Sequence, residues 1–181
     1  MRETVSDLAR LQRLLDRSYA AAGPHLLSVH SPDRRLDARA VADRLTGMCL
    51  LALATVTASS RPIVRPVDGV FYRGSFHFGS ATNSLRLRHL GRRPQVSATH
   101  LPGEHLAVTV HGSALPVDLA EPAARGLREA LLAIYVPRYG QAWEQFMEQS
   151  QYMRIAAERM FAFFAESAAP TRHHAGVRPT P

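Results

Sequence analysis

The chain has 181 residues, of which 46% are apolar, and a formal net charge of +7. That length sets one domain as the expectation and is enough to bury a core without staples. All 22 basic residues are arginine, which excludes a Schiff-base lysine, a P-loop lysine and a lysine general base. An Arg-rich, Lys-free composition is also what a GC-rich coding sequence gives, so charge alone does not argue for nucleic acid.

The single cysteine, Cys49, has no partner for an intrachain disulfide and no Cys-x-x-Cys zinc spacing. It lies in the apolar run "MCLLALATV" and is expected to be a buried, inert thiol. No run approaches the ~18 apolar residues of a membrane-spanning helix. The charged start "MRETVSDLARLQRLLDRS" lacks the apolar core of a signal peptide, so a cytoplasmic protein with no membrane partner is expected.

Thr4 and Asp7 form a capping-box pattern ahead of "LARLQRLLDRSYAAAG", where Leu8, Leu11 and Leu15 recur at helical spacing until Gly23-Pro24. A second helix is predicted across "SPDRRLDARAVADRLTG", with Ser31 as cap, Pro32 at the first position, Gly47 as stop, and Leu36, Ala40, Val41 and Leu45 facing the core. The pattern then changes to strands. "MCLLALATVTA" reads as a strand buried on both faces. "SSRP" is a turn, and "IVRPVDGVFY" a second strand whose Pro66 marks an edge, a bulge or a nearby ligand. After the tight "RG" turn, "SFHFG" is a third strand with Phe76 and Phe78 on one face and His77 on the other.

"TNSLRLRHLGRRP" is a short helix stopped by Pro94; "QVSATHL" and "HLAVTVHGSALPVDL" are strands joined through Pro102-Gly103. "EPAARGLREALLAIY" and "PRYGQAWEQFMEQS" read as helices, and "QYMRIAAERMFAFF" as the last strand, with a helix as the alternative. The remainder has no periodicity and is expected to be disordered. The expected organisation is an N-terminal helix and linker (1–31), one strand-rich domain (32–166) and a tail (167–181). Five or six mostly antiparallel strands at this spacing, with helices between them, suggest a small closed barrel.

"FGSATNSLRLRHL" raises a chemical possibility. A strand end runs into small hydroxyl residues and then an Arg-bearing helix. Helix N-termini offer unpaired N–H groups and a partial positive charge, so Ser80, Ser84 and Arg86 together read as an anion cradle. The bland alternative is a turn, a cap and a solvated basic face.

The blocks "LALATVTASSRPIVRPVDGVFYRGSFHFGSATNSLRLRHLGRRPQVSATHL" and "HLAVTVHGSALPV", within residues 45–119, resemble the split β-barrel superfamily that includes pyridoxamine 5′-phosphate oxidase. More narrowly they resemble the flavin/deazaflavin oxidoreductases of actinobacteria. The resemblance implies an α+β, mainly β fold: a six-stranded antiparallel split barrel with flanking helices. It implies a homodimer with the cofactor at the interface, flavin mononucleotide (FMN) or the deazaflavin coenzyme F420 as cofactor, and hydride transfer to or from a small molecule.

Carried over residue by residue, the resemblance assigns cofactor binding to Arg65, Pro66, Val67 and Asp68 on the second strand and to Gly79 and Ser80 ending the third. It assigns the phosphate grip to Ser84 and Arg86. Leu85 stands where the oxidase has its first basic residue, Arg86 replaces a Lys, and the oxidase's flavin-touching glutamine falls near Ala107. None of the oxidase's pyridoxamine-phosphate residues is matched. The expected substrate is therefore a different small molecule, and the cofactor reading leans to F420 over FMN.

For Arg65 and Arg86 the competing reading is a solvated surface cation; Arg88, Arg92 and Arg93 fit a solvated helix face, or contacts to an acidic cofactor tail. His77 is the one candidate proton donor, two residues before Gly79. His100, His105 and His111 read as structural, since no metal-ligand spacing appears and no metal site is expected. His173 and His174 in the tail are a hint of haem, so the alternative to an oxidoreductase is a non-enzymatic flavin- or haem-binding protein. Trp143, Phe146 and Met147 fit a helix packing stripe. "RLRHLGRRP" lacks interleaved aromatics for base stacking, and no nucleic-acid partner is expected.

Overall fold

In the computed structural model, which describes residues 3–165, the capping box forms as the sequence spells it. Asp7 N–H donates to Thr4 Oγ1 (3.2 Å) and Thr4 N–H to the Asp7 carboxylate (2.8 Å), launching α1 (Val5–Ala20). This helix buries Leu11, Leu14 and Leu15. A short α2 (Pro24–Val29) follows.

The helix expected over residues 31–47 does not form as one element. A 3₁₀ turn at Pro32–Arg34 is followed by extended backbone and then α3 (Ala38–Arg44), capped by the Asp37 carboxylate accepting from Ala40 N–H (2.7 Å). The cause is tertiary. Leu36 N–H donates to the Ala162 carbonyl (3.1 Å) and Arg35 bridges to Phe163, so the last strand claims backbone that a helix would need. Leu36, Val41 and Leu45 are nonetheless buried, as their spacing implied.

Six strands follow: β1 (Met48–Val56), β2 (Pro62–Tyr72), β3 (Ser75–Ala81), β4 (Gln95–Gly103), β5 (Leu106–Val117) and β6 (Ser150–Phe164). They close into an antiparallel barrel in the order β1-β2-β3-β6-β5-β4. Between them lie α4 (Leu85–Arg92), α5 (Arg125–Tyr139) and α6 (Ala142–Glu148). The break between the last two helices falls at Gly140, whose φ is +79°; α5 carries Pro137 inside it. The barrel is filled by Leu51, Phe76, Phe78, Val108, Val110, Ile155 and Met160, all nearly inaccessible; removing each such side chain from water contributes about 1.5–3 kcal/mol.

β3 pairs with β6 only as far as Arg154. Farther along β6, α1 serves in place of a strand. Ser18 Oγ accepts from Met160 N–H (2.9 Å), and the Tyr19 hydroxyl accepts from Ala162 N–H (3.2 Å) and donates to Ala162 O (2.9 Å).

β1 is not buried on both faces. Cys49, Leu51, Leu53 and Thr55 point inward, while Leu50 is 53% exposed. The outer face is itself apolar, which hides the alternation in the sequence. Val64 on β2 (62% exposed) and Leu101 on β4 (61%) lie on the same outer surface, with Ala52, Pro66 and Thr99 between them.

Candidate functional site

β2 is paired with β1 along nearly its whole length, from Pro62 to Val70, but with β3 only from Gly69 to Tyr72. Beyond Gly69 the two strands part. Pro66 sits in the gap. A proline has no N–H to leave unpaired on a free edge, and its carbonyl accepts from Arg86 Nη2 (3.0 Å). The other guanidinium nitrogen of Arg86 donates to Ser80 Oγ (3.1 Å), so one side chain spans from β2 to β3 across the opening.

Ser80 in turn donates to Ser84 Oγ (3.0 Å), and Ser84 caps α4 by accepting from Leu87 N–H (3.2 Å). Arg65 is close enough that its charge, after burial, helps lower the pKa of Arg86. Among the described residues no carboxylate pairs with either guanidinium. Arg86, anchored to Ser80 and the Pro66 carbonyl and within reach of the Arg65 charge, together with two hydroxyls and a helix N-terminus, is chemically matched to an anion with several oxygens. A phosphate or phosphodiester fits this donor set.

Strand alternation sends the other expected residues elsewhere. Val67 packs on the core. Asp68 and Gly79 face the outer side of β2 and β3, where α5, α6 and β6 enclose a second pocket. Tyr152 lies against Gly79 so closely that a Cβ there would meet its ring at 2.9 Å. Tyr135 stacks on Trp143, centroids 4.5 Å apart. Burial, and next the Asp68 charge, push the Tyr135 phenol up, and burial does the same to Tyr152. Both therefore stay protonated and able to donate. The expected group thus divides into a basic cradle (Arg65, Pro66, Ser80, Ser84, Arg86) and an outer pair (Asp68, Gly79).

No family model matches the chain, and no curated protein matches it. Solved structures do. A conserved hypothetical protein of Mycobacterium tuberculosis superposes with a TM-score of 0.63 at 19% identity, covering 78% of this chain and 98% of that one. A FAD-binding protein of Mesorhizobium loti gives 0.55 at 19%, over 74% and 98%. HutZ, the heme storage protein of Vibrio cholerae, gives 0.52 at 21%, over 64% and 87%. The fold is the pyridoxamine 5′-phosphate oxidase-like split barrel.

In this split barrel the histidines are largely absorbed by structure. His89 meets Thr55 (3.0 Å), His111 meets Ser97 (2.8 Å), and His100 meets the Leu50 carbonyl (3.0 Å). Among the described residues no three His, Cys, Asp or Glu gather as a metal set; His173 and His174 lie outside those residues. His77 is 5% exposed. Burial, helped by the nearby Arg154 charge, pushes its pKa down to about 4. Its Nδ1 donates to the Ser75 carbonyl (3.1 Å), so Nε2 presents a lone pair and the ring is neutral at pH 7. Burial pushes the Cys49 thiol up to about 11, the inert state its apolar run implied.

Sequence reasoning missed Tyr135, Tyr152 and the pocket role of Trp143 and Phe146. Met147 does pack as a helix stripe requires, being 1% exposed, but Phe146 is 55% exposed. These residues come from separate elements, and no local pattern in the sequence links them.

Proposed function

We propose that this split barrel is an oxidoreductase that binds a flavin-type cofactor, with F420 favoured over FMN, and transfers hydride to or from a small organic molecule. The observation that carries the reading is the linkage of Arg86 to Ser80, Ser84 and the Pro66 carbonyl where β2 and β3 part, with no carboxylate paired to it among the described residues. Arg86 and Arg65 neutralise the phosphate or phosphodiester, the Ser84 hydroxyl orients it, and Ser80 with the Pro66 carbonyl fixes the Arg86 fork. Bound there, the cofactor supplies the hydride chemistry. Asp68 and Gly79 line the outer pocket, where a second molecule can approach, and Val67 backs the cradle strand from the core. Leu85, 39% exposed in place of a basic residue, weakens the grip on a simple phosphate. Arg88 and Arg92, exposed along α4, suit an acidic extension of the cofactor, which favours F420.

The same reading includes a homodimer. The outer apolar surface of β1, β2 and β4, with Leu50, Val64 and Leu101 each more than half exposed, is strand-built and includes Pro66. A second copy would cover it and complete the site. Light scattering is expected to give a dimer at micromolar concentration, and Leu50→Asp a monomer with weakened cofactor binding; a wild-type monomer would remove this part of the reading.

Turnover separates an enzyme from a carrier of flavin or haem. Reduced cofactor bound to the protein is followed by stopped flow, with and without quinones and activated alkenes. Faster decay with an acceptor than free cofactor shows is expected. Decay unchanged across the acceptors would establish a carrier.

A further inference from the structure

The outer pocket has a chemistry the cradle does not use. Tyr135 and Trp143 stack with their planes 16° apart, Tyr152 closes the side against Gly79, and Phe146 stands at the mouth. The one acid lining it is Asp68, which has no hydrogen bond or ion pair among the described residues. That is an exception in a chain with 22 arginines and a net charge of +7. No arginine lines the pocket. His77, 95% buried by its 5% exposure, adds the Nε2 lone pair, for which the described residues offer no partner.

An anion placed here would meet a carboxylate with no cation among the lining residues to offset it. A neutral apolar guest would strip water from Asp68 and return no charge to it. A cation with an apolar periphery suits both elements, since the Asp68 carboxylate neutralises its charge and the aromatic lining packs against its alkyl groups. We propose that this pocket binds the positively charged head of a small organic amine, an alkylated or quaternary ammonium. The cavity offers about 60 Å³; at roughly 10–15 Å³ for one water-sized group, that is about four to six heavy atoms. A trimethylammonium-sized head fits, with the rest of the molecule passing Phe146 to solvent. That this cation is also the molecule exchanging hydride rests on the cofactor reading; the binding itself does not.

Trp143 is the only tryptophan in the chain, so its emission reports this pocket alone. The full chain is titrated with choline chloride, and in parallel with 3,3-dimethylbutanol, which has the same shape without the charge, at constant ionic strength. A saturable change with choline is expected, with the alcohol binding at least about tenfold more weakly. Asp68→Asn is expected to weaken choline about tenfold and leave the alcohol unchanged. Equal affinity for both compounds, no saturable change with choline, or unchanged choline affinity in Asp68→Asn would overturn the assignment. Should Asp68→Asn not fold, Phe146→Ala, at an exposed position, serves instead: it must weaken choline several-fold, and no change would count against the proposal. FMN and F420 titrations read on cofactor absorbance report the cradle separately. Failure there with intact choline binding removes the cofactor reading alone, and the reverse removes the cation pocket alone.

Discussion

The cradle at the split and the ring-lined pocket behind it are built from the same two strands. Ser80 faces one and Gly79 the other; Arg65 serves one and Asp68 the other. The cradle concentrates cations and hydroxyls with no acid among them. The pocket concentrates aromatic rings around one acid and no arginine. A period of two along a strand lets adjacent residues serve opposite chemistries a few ångströms apart. The cradle, half-buried at the strand edge, depends on charge. The pocket, roofed by α5 and α6, depends on packing, so the two should fail in different ways.

The largest effect is expected on the packed side. Tyr152→Ala removes a ring that is 4% exposed and supports α5 and α6. It should destabilise the fold by about 3–5 kcal/mol, measured by denaturant melts.

Next is the pH response of His77. Its folded pKa of about 4 lies below the ordinary 6.5, so between those values the unfolded chain binds a proton that the fold refuses. Stability should therefore fall as pH drops through that window, by roughly 3 kcal/mol at its acid end, and stay flat above it. His30, also lowered by burial, contributes to the same limb. The difference between wild type and His77→Gln isolates His77: the variant should lose less stability from pH 6.5 to 4, and identical slopes would show that the ring titrates normally.

On the charged side a small gain is expected. Leu85→Arg places a cation at the exposed start of α4 and should tighten phosphate-bearing cofactor by under about 1 kcal/mol, diminishing as salt is raised. The same change should leave the emission of Trp143 untouched.

The strands, the caps at Thr4 and Ser84, and the association of Ser80, Ser84 and Arg86 were legible in the sequence because local chemistry decides them. The outward face of β1 was not, because Leu50 and Ala52 are apolar on a surface the single chain leaves bare. The break at Arg35 and Leu36 was not, because their partners, Phe163 and Ala162, lie far along the chain. The pocket was least legible of all. Asp68, Tyr135, Trp143 and Tyr152 come from β2, α5, α6 and β6, and no spacing within any one of them signals the others. Asp68 and Gly79 were named from resemblance in two separate strand blocks as cofactor contacts; the fold puts them on one face of adjacent strands, lining the outer pocket.

The central claim is that the acid-free arginine cradle holds a phosphate-bearing cofactor. The most direct measurement is the dissociation constant of F420, with FMN alongside, for wild type and for Arg86→Ala, the latter checked for an unchanged melting curve. Saturable binding by the wild type is expected, with a loss of roughly 1.5–3 kcal/mol in the variant, the range for a hydrogen bond to a charged group, and an unchanged Trp143 response to choline. Affinity equal in the two proteins, or no saturable binding of either cofactor to the wild type, would contradict it.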